Sequence, residues 1–147
     1  SGECGSRRNE SEEVVAMHRL TAVVVVTHGK AGADMIDAAE SFLRMSIPLL
    51  RAVGVEPGDD RGTVDTKIDQ AVIALGMQDS QDVLFLVDLV GSTPARICCS
   101  KCSGQAHVVT GLNMPMLVKL ATVDRGRGPV ALGKDLVATG TKSIHCE

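Results

Sequence analysis

The sequence predicts an α/β fold, a small and doubly wound sheet that is mainly parallel, with helices on both faces. Apolar runs rich in β-branched residues alternate along the chain with segments whose apolar residues recur at helical spacing. These runs are apolar throughout, which is typical of parallel strands buried on both faces. The 147 residues, of which 44% are hydrophobic and 22% charged, suffice for a domain with its own core.

Four strands and five helices are predicted, in regular alternation. The strands are expected at residues 22–26, 48–53, 83–87 and 107–110. The helices are expected over 34–44, from Thr63 to a stop at Gly76, from an N-cap at Thr93, from Asn113, and over 129–144. With so few strands we expect the order 2-1-3-4, with room for an antiparallel edge strand near the C-terminus.

Composition narrows the class of protein. Residues 1–16 are predicted to be a flexible arm or an expression remnant, and residues 17–147 the domain. No apolar run approaches the roughly 20 residues of a membrane helix. A net charge of −3, with no Trp or Tyr and two Phe, argues against nucleic-acid binding. Five cysteines, an odd number, favour a reducing cytoplasm over a disulfide framework.

The clustered cysteines have a spacing that partly fits a zinc site. Cys99 and Cys102 form a C-x-x-C pair, and His107 follows, but a fourth ligand is missing. Ile97, Cys98 and Cys102 fall on one helical face, so we interpret them as small buried apolar residues and expect no metal. The charged segments 56–60 and 124–128 are interpreted as a turn and a solvated loop.

A histidine and a carboxylate are expected to meet in one crevice. Ligands of such sheets bind beyond the carboxyl ends of the strands at which the order reverses, here strands 1 and 3. His28 follows the first run and Asp88 the third. A carboxylate that accepts one ring N–H leaves the other nitrogen nucleophilic and stabilises the charge that develops on attack. Spacing alone leaves open a purely structural His–Asp hydrogen bond.

Each of the two residues lies beside a turn that leads into a helix. Such turns favour phosphate, because helix N-termini present free backbone N–H groups and a partial positive charge. The predicted phosphate-binding residues are Thr27, Gly29, Gly91, Ser92 and Thr93. Together with the pair, they predict a phosphohistidine.

Three segments carry a family resemblance. They are V-V-V-V-T-H-G-K-A-G (23–32), L-F-L-V-D-L-V-G-S-T-P (84–94) and G-L-N-M-P-M-L (111–117). In order and spacing they resemble the enzyme IIA domain of the mannose family of the bacterial phosphoenolpyruvate:sugar phosphotransferase system. The resemblance covers residues 20–145, and each motif stands at the end of a predicted strand.

The resemblance implies a cytoplasmic phosphotransferase without a cofactor. Its histidine, here His28, takes a phosphoryl group from the phosphohistidine of the carrier protein HPr and passes it to an enzyme IIB. Asp88 matches the aspartate that orients this histidine, and Thr93 matches a hydroxyl near the phosphoryl group. The family also implies a homodimer with an exchanged C-terminal strand, and contact with the membrane only through transporter partners.

The sequence departs from the family pattern at three positions. Family members often carry Trp after T-H-G and again two residues after the aspartate, where this chain has Lys30 and Val90. Ser92 replaces the usual second glycine of that loop. These changes concern the partner surface and the sugar class, and Lys30 is a candidate contact for phosphate or an acidic partner.

Other classes with related patterns fit less well. A response-regulator receiver needs an acidic pair after strand 1 to hold Mg²⁺, where this chain has Thr27 and His28. A histidine phosphatase would have Arg-His-Gly there. A regulatory domain controlled by phosphorylation of His28 uses the same residues as a transport protein and stays open.

Overall fold

Four parallel strands form one sheet. The computed structural model describes residues 20–78, 80–102 and 107–147. The strands are β1 (Ala22–His28), β2 (Leu50–Val55), β3 (Val83–Val87) and β4 (Val108–Thr110). Their order is β2-β1-β3-β4, and every pairing is parallel. The predicted fold class and strand order are confirmed. The described part of the chain contains no antiparallel edge strand, and the expectation for residues 1–16 lies outside it.

Five α-helices cover the two faces of the sheet. They are α1 (Ala31–Leu43), α2 (Arg61–Ala74), α3 (Thr93–Ser100), α4 (Met114–Lys119) and α5 (Pro129–Lys142). A short 3₁₀ turn, Ser80–Asp82, leads into β3. Among the described residues, no helix has the length and apolarity needed to cross a membrane.

The sheet separates two hydrophobic cores. On β1, Val24 and Val26 point into the core beneath α2 and α3, whereas Val23 and Val25 point into the core beneath α1, α4 and α5. On β3, Phe85 belongs to the first core, while Leu84 and Leu86 belong to the second. Successive side chains of a strand point to opposite faces, so a strand between two cores must be apolar at every position.

Local backbone chemistry moves several predicted boundaries. β2 runs from Leu50 to Val55 rather than over 48–53, because Leu49 has a φ of 47°, which an extended strand does not accommodate. α2 begins before Thr63, since Asp60 is its N-cap and accepts a hydrogen bond from the Thr63 N–H at 2.7 Å. The N-cap of α3 is Ser92 and not Thr93, which is the first helical residue.

The segment 124–128 is not wholly solvated as predicted, because Arg125 is buried. Its guanidinium donates to the carbonyl oxygens of Pro48 (2.5 Å), Thr21 (2.8 Å) and Leu49 (3.0 Å). The Arg125 carbonyl also accepts from the Thr21 N–H at 2.8 Å. Burial lowers the pKa of Arg125 to about 10. The loop therefore joins the chain ahead of β1 to the chain ahead of β2.

The cysteine segment packs as apolar surface. Ile97 and Cys98 are buried in the core beneath α2 and α3, and Cys102 packs against that core. Burial raises the pKa of the Cys98 thiol to about 12. Cys99 is exposed. Within the described ranges, no three His, Cys, Asp or Glu side chains are arranged to hold a metal ion.

Candidate active site

The first turn of the site joins β1 to α1. His28 ends β1, and Gly29 follows with a φ of 58° and an N–H that donates to the Val55 carbonyl at 2.8 Å. Thr27 is 1% exposed, and its Oγ1 accepts from the Gly32 N–H at 2.7 Å. The Thr27 hydroxyl thus caps a first-turn amide of α1, a task usually performed by the N-cap side chain.

The second turn joins β3 to α3. Asp88 follows β3, and Gly91 has a φ of 70°. The Ser92 hydroxyl donates to the Leu89 carbonyl at 2.8 Å and accepts from the Ala95 N–H at 3.4 Å. Thr93 is exposed at the start of the helix. A Cβ added to Gly29 or Gly91 would meet no atom within 4 Å, so both turns border open space.

His28 and Asp88 contact each other across the two turns. The Nδ1 atom of His28 lies 2.9 Å from Oδ2 of Asp88, and the His28 backbone N–H donates to the same oxygen at 3.0 Å. The other carboxylate oxygen accepts from the Leu89 N–H at 2.9 Å. The predicted hydrogen bond between the two side chains is confirmed, and it joins the ends of neighbouring strands as the strand order requires.

Hydrogen bonding fixes the state of the carboxylate. Partial burial alone would raise the pKa of Asp88, but hydrogen bonds from the backbone and imidazole of His28, with the attraction of the ring, outweigh it. The pKa of Asp88 is therefore held below its ordinary value of 3.8. An ionised carboxylate only accepts hydrogen bonds, so Nδ1 of His28 must carry the proton.

The second ring nitrogen is left with the lone pair. Nε2 of His28 has no hydrogen-bond partner among the residues that the structure describes, and the side chain is 51% exposed. A neutral imidazole in this tautomer is a nucleophile at Nε2, and Asp88 is in place to stabilise positive charge on the ring. The arrangement suits transfer of a group onto and off Nε2.

The predicted phosphate-binding residues divide by accessibility. Gly29 and Gly91 have positive φ values in the two turns, Ser92 is half-buried and Thr93 is exposed. Thr27 is buried and supports α1 from below. Lys30 is exposed directly after Gly29. The contacts of these residues with phosphate stay a prediction.

Sequence reasoning missed a support beneath the first turn. A Cβ added to Gly54 would lie 2.5 Å from the carbonyl oxygen of Gly29, so only glycine allows the two chains to approach this closely. Nζ of Lys67 donates to the Gly54 carbonyl at 3.0 Å. An isolated glycine in a strand pattern often marks a place where another backbone approaches closely, so Gly54 could have indicated this contact from the sequence. The sequence contains no such signal for Lys67, because a lysine on a helix is expected to face solvent.

The chain matches a protein-family model over residues 22–128. The model is EIIA-man, described as "PTS system fructose IIA component", and the match spans both turns of the site. The chain belongs to the EIIA-man family. None of the curated proteins matches the sequence significantly. The family's role is that of a IIA component of the phosphotransferase system, whose general activity is phosphotransfer and which interacts with HPr and IIB proteins.

Solved structures share the fold of this EIIA-man chain. One is the mannose/sorbose-specific IIA subunit of Enterococcus faecalis, with a TM-score of 0.75 and 18% identity over 87% of this chain and 95% of that one. Another is the IIA protein associated with the fucose utilization operon of Streptococcus pneumoniae, with a TM-score of 0.68 and 23% identity over 85% and 91%. A third, a sigma-54 interaction domain protein from Enterococcus faecalis, has a TM-score of 0.62 and 14% identity over 84% and 92%.

Proposed function

We propose that this EIIA-man chain is a phosphocarrier that accepts a phosphoryl group on Nε2 of His28 and gives it to a second protein. The observation that supports this proposal most directly is the 2.9 Å hydrogen bond between Nδ1 of His28 and Asp88. It leaves Nε2 without a partner among the described residues, on a side chain that is half-exposed. The donor is the phosphohistidine of an HPr-like protein, and the acceptor is an enzyme IIB that serves sugar uptake.

The transfer balances without a further reactant. The lone pair of Nε2 attacks phosphorus, the P–N bond of the donor breaks, and the donor imidazole keeps the electron pair. The His28 ring, protonated at Nδ1 and now bonded to phosphorus at Nε2, carries positive charge that the Asp88 carboxylate offsets. Because the donor bond is already activated, the chain has only to position the groups and stabilise charge.

The two helix starts supply the electrostatic part of the proposal. Gly29 and Gly91 leave open space at the turns, and the N-termini of α1 and α3 bring partial positive charge to the same side. Ser92 and Thr93 add hydroxyl groups to the second turn. Thr27 contributes indirectly in this proposal, since its buried hydroxyl is occupied by the Gly32 N–H.

A homodimer in the cytoplasm is part of the same proposal. β4 pairs with β3 alone among the described strands, so its outer edge is open. Beside that edge, β4 and α5 border a groove of about 360 Å³ whose lining includes Val108, Val130 and Val137. In this proposal, the residues after Lys142 of a second copy add a strand to this edge and cover the groove, and the proposed partners are cytoplasmic.

The direct test is labelling by phosphorylated HPr. His28 is expected to become acid-labile phosphohistidine, detected by mass spectrometry of the His28 peptide, with chelator present throughout. His28→Ala is expected to abolish the label, and His145→Ala, which removes an exposed histidine near the C-terminus, is the matched control. A label that persists in His28→Ala, or that requires Mg²⁺, would contradict the proposal.

A regulatory role is the second candidate. The fold is shared with a protein named for sigma-54 interaction, so this architecture also occurs outside proteins named as IIA components. In that case His28 is phosphorylated and read by a partner without onward transfer. Incubating the labelled chain with IIB proteins encoded beside it distinguishes the two, since only the phosphocarrier loses its label to a IIB histidine or cysteine.

A further inference from the structure

We propose that Lys67 is a positioning residue that keeps the His28–Gly29 turn in its reactive geometry; this inference rests on the proposed phosphoryl transfer at His28. The ammonium group of Lys67 acts through the C-terminal end of β2, on which the turn rests. It contacts no reacting atom.

Lys67 contacts the outer side of β2 at its carboxyl end. β2 is an edge strand, and Val55 directs its carbonyl towards β1, where it accepts the Gly29 N–H. Successive carbonyls of a strand point in opposite directions, so the Gly54 carbonyl points away from β1, on the side where no described strand pairs with β2. Nζ of Lys67, reaching across from α2, donates to this oxygen at 3.0 Å.

A carboxylate holds the ammonium group of Lys67 in place. Nζ of Lys67 lies 2.5 Å from Oδ2 of Asp59, which also accepts the Glu56 N–H at 2.9 Å. The Asp59 N–H in turn donates to the Glu56 carbonyl at 3.0 Å, which closes a tight turn. The hydrogen bond from Lys67 holds the pKa of Asp59 below its ordinary value. Lys67 therefore joins the strand end to a turn that is itself closed.

The carboxyl end of β2 in turn contacts the residue that follows His28. The Gly29 carbonyl sits so close to the Cα of Gly54 that a Cβ there would lie 2.5 Å away, and the Gly29 N–H is bound to Val55. Both backbone groups of Gly29 are thus located by the last two residues of β2. A displacement of that strand end shifts the turn and, with it, the direction of the His28 ring relative to Asp88.

The test uses Lys67→Met and a donor that needs no protein docking. Potassium phosphoramidate phosphorylates imidazole by forming the Nε2–P bond while its own P–N bond breaks and ammonia leaves. We expect Lys67→Met to slow labelling of His28 about tenfold, because small misplacements of reacting groups carry large rate costs. Lys67→Arg, which can still donate to both oxygens, is expected to restore most of the rate.

Two spectroscopic readouts separate positioning from a general loss of stability. In Lys67→Met, amide hydrogen exchange is expected to accelerate about tenfold at Gly29 while the amides of β1 keep their protection, since only the strand end is released. The ¹⁵N shift of His28 Nδ1 is expected to move as its hydrogen bond to Asp88 loosens. Lys101→Met is the matched control, because Lys101 also pairs with carboxylates of α2, at 2.6 Å (Asp65) and 2.8 Å (Asp69), without reaching this turn.

The outcomes are distinct. A labelling rate or a Gly29 exchange rate unchanged in Lys67→Met overturns the inference, as does an equal acceleration of exchange across β1. If wild-type His28 is labelled by neither phosphoramidate nor phospho-HPr, the proposed function fails. The Gly29 exchange and the Nδ1 shift then still decide whether Lys67 positions the turn.

Discussion

At the scale of single residues, the site depends on one carboxylate that accepts three hydrogen bonds. Oδ2 of Asp88 accepts two from His28, and Oδ1 accepts one from Leu89. One residue therefore orients the imidazole, fixes the backbone that carries it and closes the start of the second turn. The negative charge of Asp88 acts on the His28 ring, and its hydrogen bonds hold the two turns in place. The effect of the charge on the phosphorylation rate and the effect of the hydrogen bonds on stability can be measured separately.

Asp88→Asn is expected to slow phosphorylation of His28 by on the order of 100-fold, with a stability loss of about 1 kcal/mol. The amide is neutral and can present its N–H₂ to the ring, so it neither fixes the proton on Nδ1 nor offsets positive charge. Rapid-quench labelling and urea unfolding measure the two effects. Asp82→Asn, at the other end of the same strand, is the control, and equal rates in both variants would contradict the role of Asp88.

The same hydrogen bonds give the site a pH dependence. The pKa of Asp88 lies lower in the folded state than the ordinary 3.8, so its stabilising contribution is complete above that value. The contribution is lost as pH falls through the lowered folded pKa. We expect the His28–Asp88 contact to survive mild acid, which a titration of the Asp88 carboxyl ¹³C shift will check. A midpoint at or above 3.8 would contradict this.

At the scale of elements, the predictions succeeded where burial leaves a recognisable pattern of apolar residues in the sequence. β1 and β3 each lie between two cores, so every residue of their central run is apolar and the sequence displays them directly. Single hydrogen bonds leave no such pattern. Ser92 and Thr93 are both residue types that cap helices, and which of them is the N-cap depends on the backbone angles of the turn before the helix. The His28–Asp88 pair was predictable because strand order alone brings the strand ends together.

The contacts by which Arg125 joins two strands could not be predicted from the sequence. A charged loop that contains glycines is usually solvated, and nothing in its spacing indicates a guanidinium bound to three backbone carbonyls. These carbonyls belong to Thr21, Pro48 and Leu49, just ahead of β1 and β2, so Arg125 holds together the amino ends of two neighbouring strands.

Arg125→Met is expected to destabilise the fold by about 3 kcal/mol, because it removes the guanidinium donor from the Thr21 and Pro48 carbonyls while keeping much of the side-chain volume. Urea unfolding followed by circular dichroism measures the change. Arg127→Met is the matched control, since Arg127 is exposed and pairs with the partly exposed Asp135, so about 0.5 kcal/mol or less is expected. A loss in Arg125→Met no larger than in the control would show that the buried contacts are not stabilising.

At the scale of the whole molecule, the reactive pair and the Arg125 anchor occupy opposite ends of the sheet. The His28–Asp88 pair and both glycine turns lie beyond the carboxyl ends of β1 and β3, whereas Arg125 binds the chain at the amino ends of β1 and β2. The carboxyl ends of parallel strands all lie on one side of the sheet, so contacts at the amino ends lie on the side away from the reactive pair. Substitutions that weaken the anchor should therefore lower stability before they alter the reactive pair.

The outer edge of β4 is not paired with any strand in the described part of the chain. Backbone groups on an unpaired edge favour pairing with another strand, and here an apolar groove runs beside them. Val137 on α5 lines the groove and is 47% exposed, and beyond the helix the residues after Lys142 are exposed, with Ile144 at 76%. A second copy that placed Ile144 of its exposed tail in this groove would bury both apolar surfaces.

Val137→Asp is therefore expected to weaken the proposed homodimer. Sedimentation velocity at micromolar concentration is expected to give a dimer for the wild type and at least a tenfold weaker association for the variant, since each 1.4 kcal/mol lost at the interface is a factor of ten. Ile73→Asp places the same charge on α2, across the sheet from the groove, at a residue that is 69% exposed, and should leave the dimer intact. A wild-type monomer, or a Val137→Asp dimer of unchanged affinity, would contradict pairing at β4. His28 labelling by phosphoramidate should be the same in both variants, because neither position contacts the two turns that hold the reactive pair.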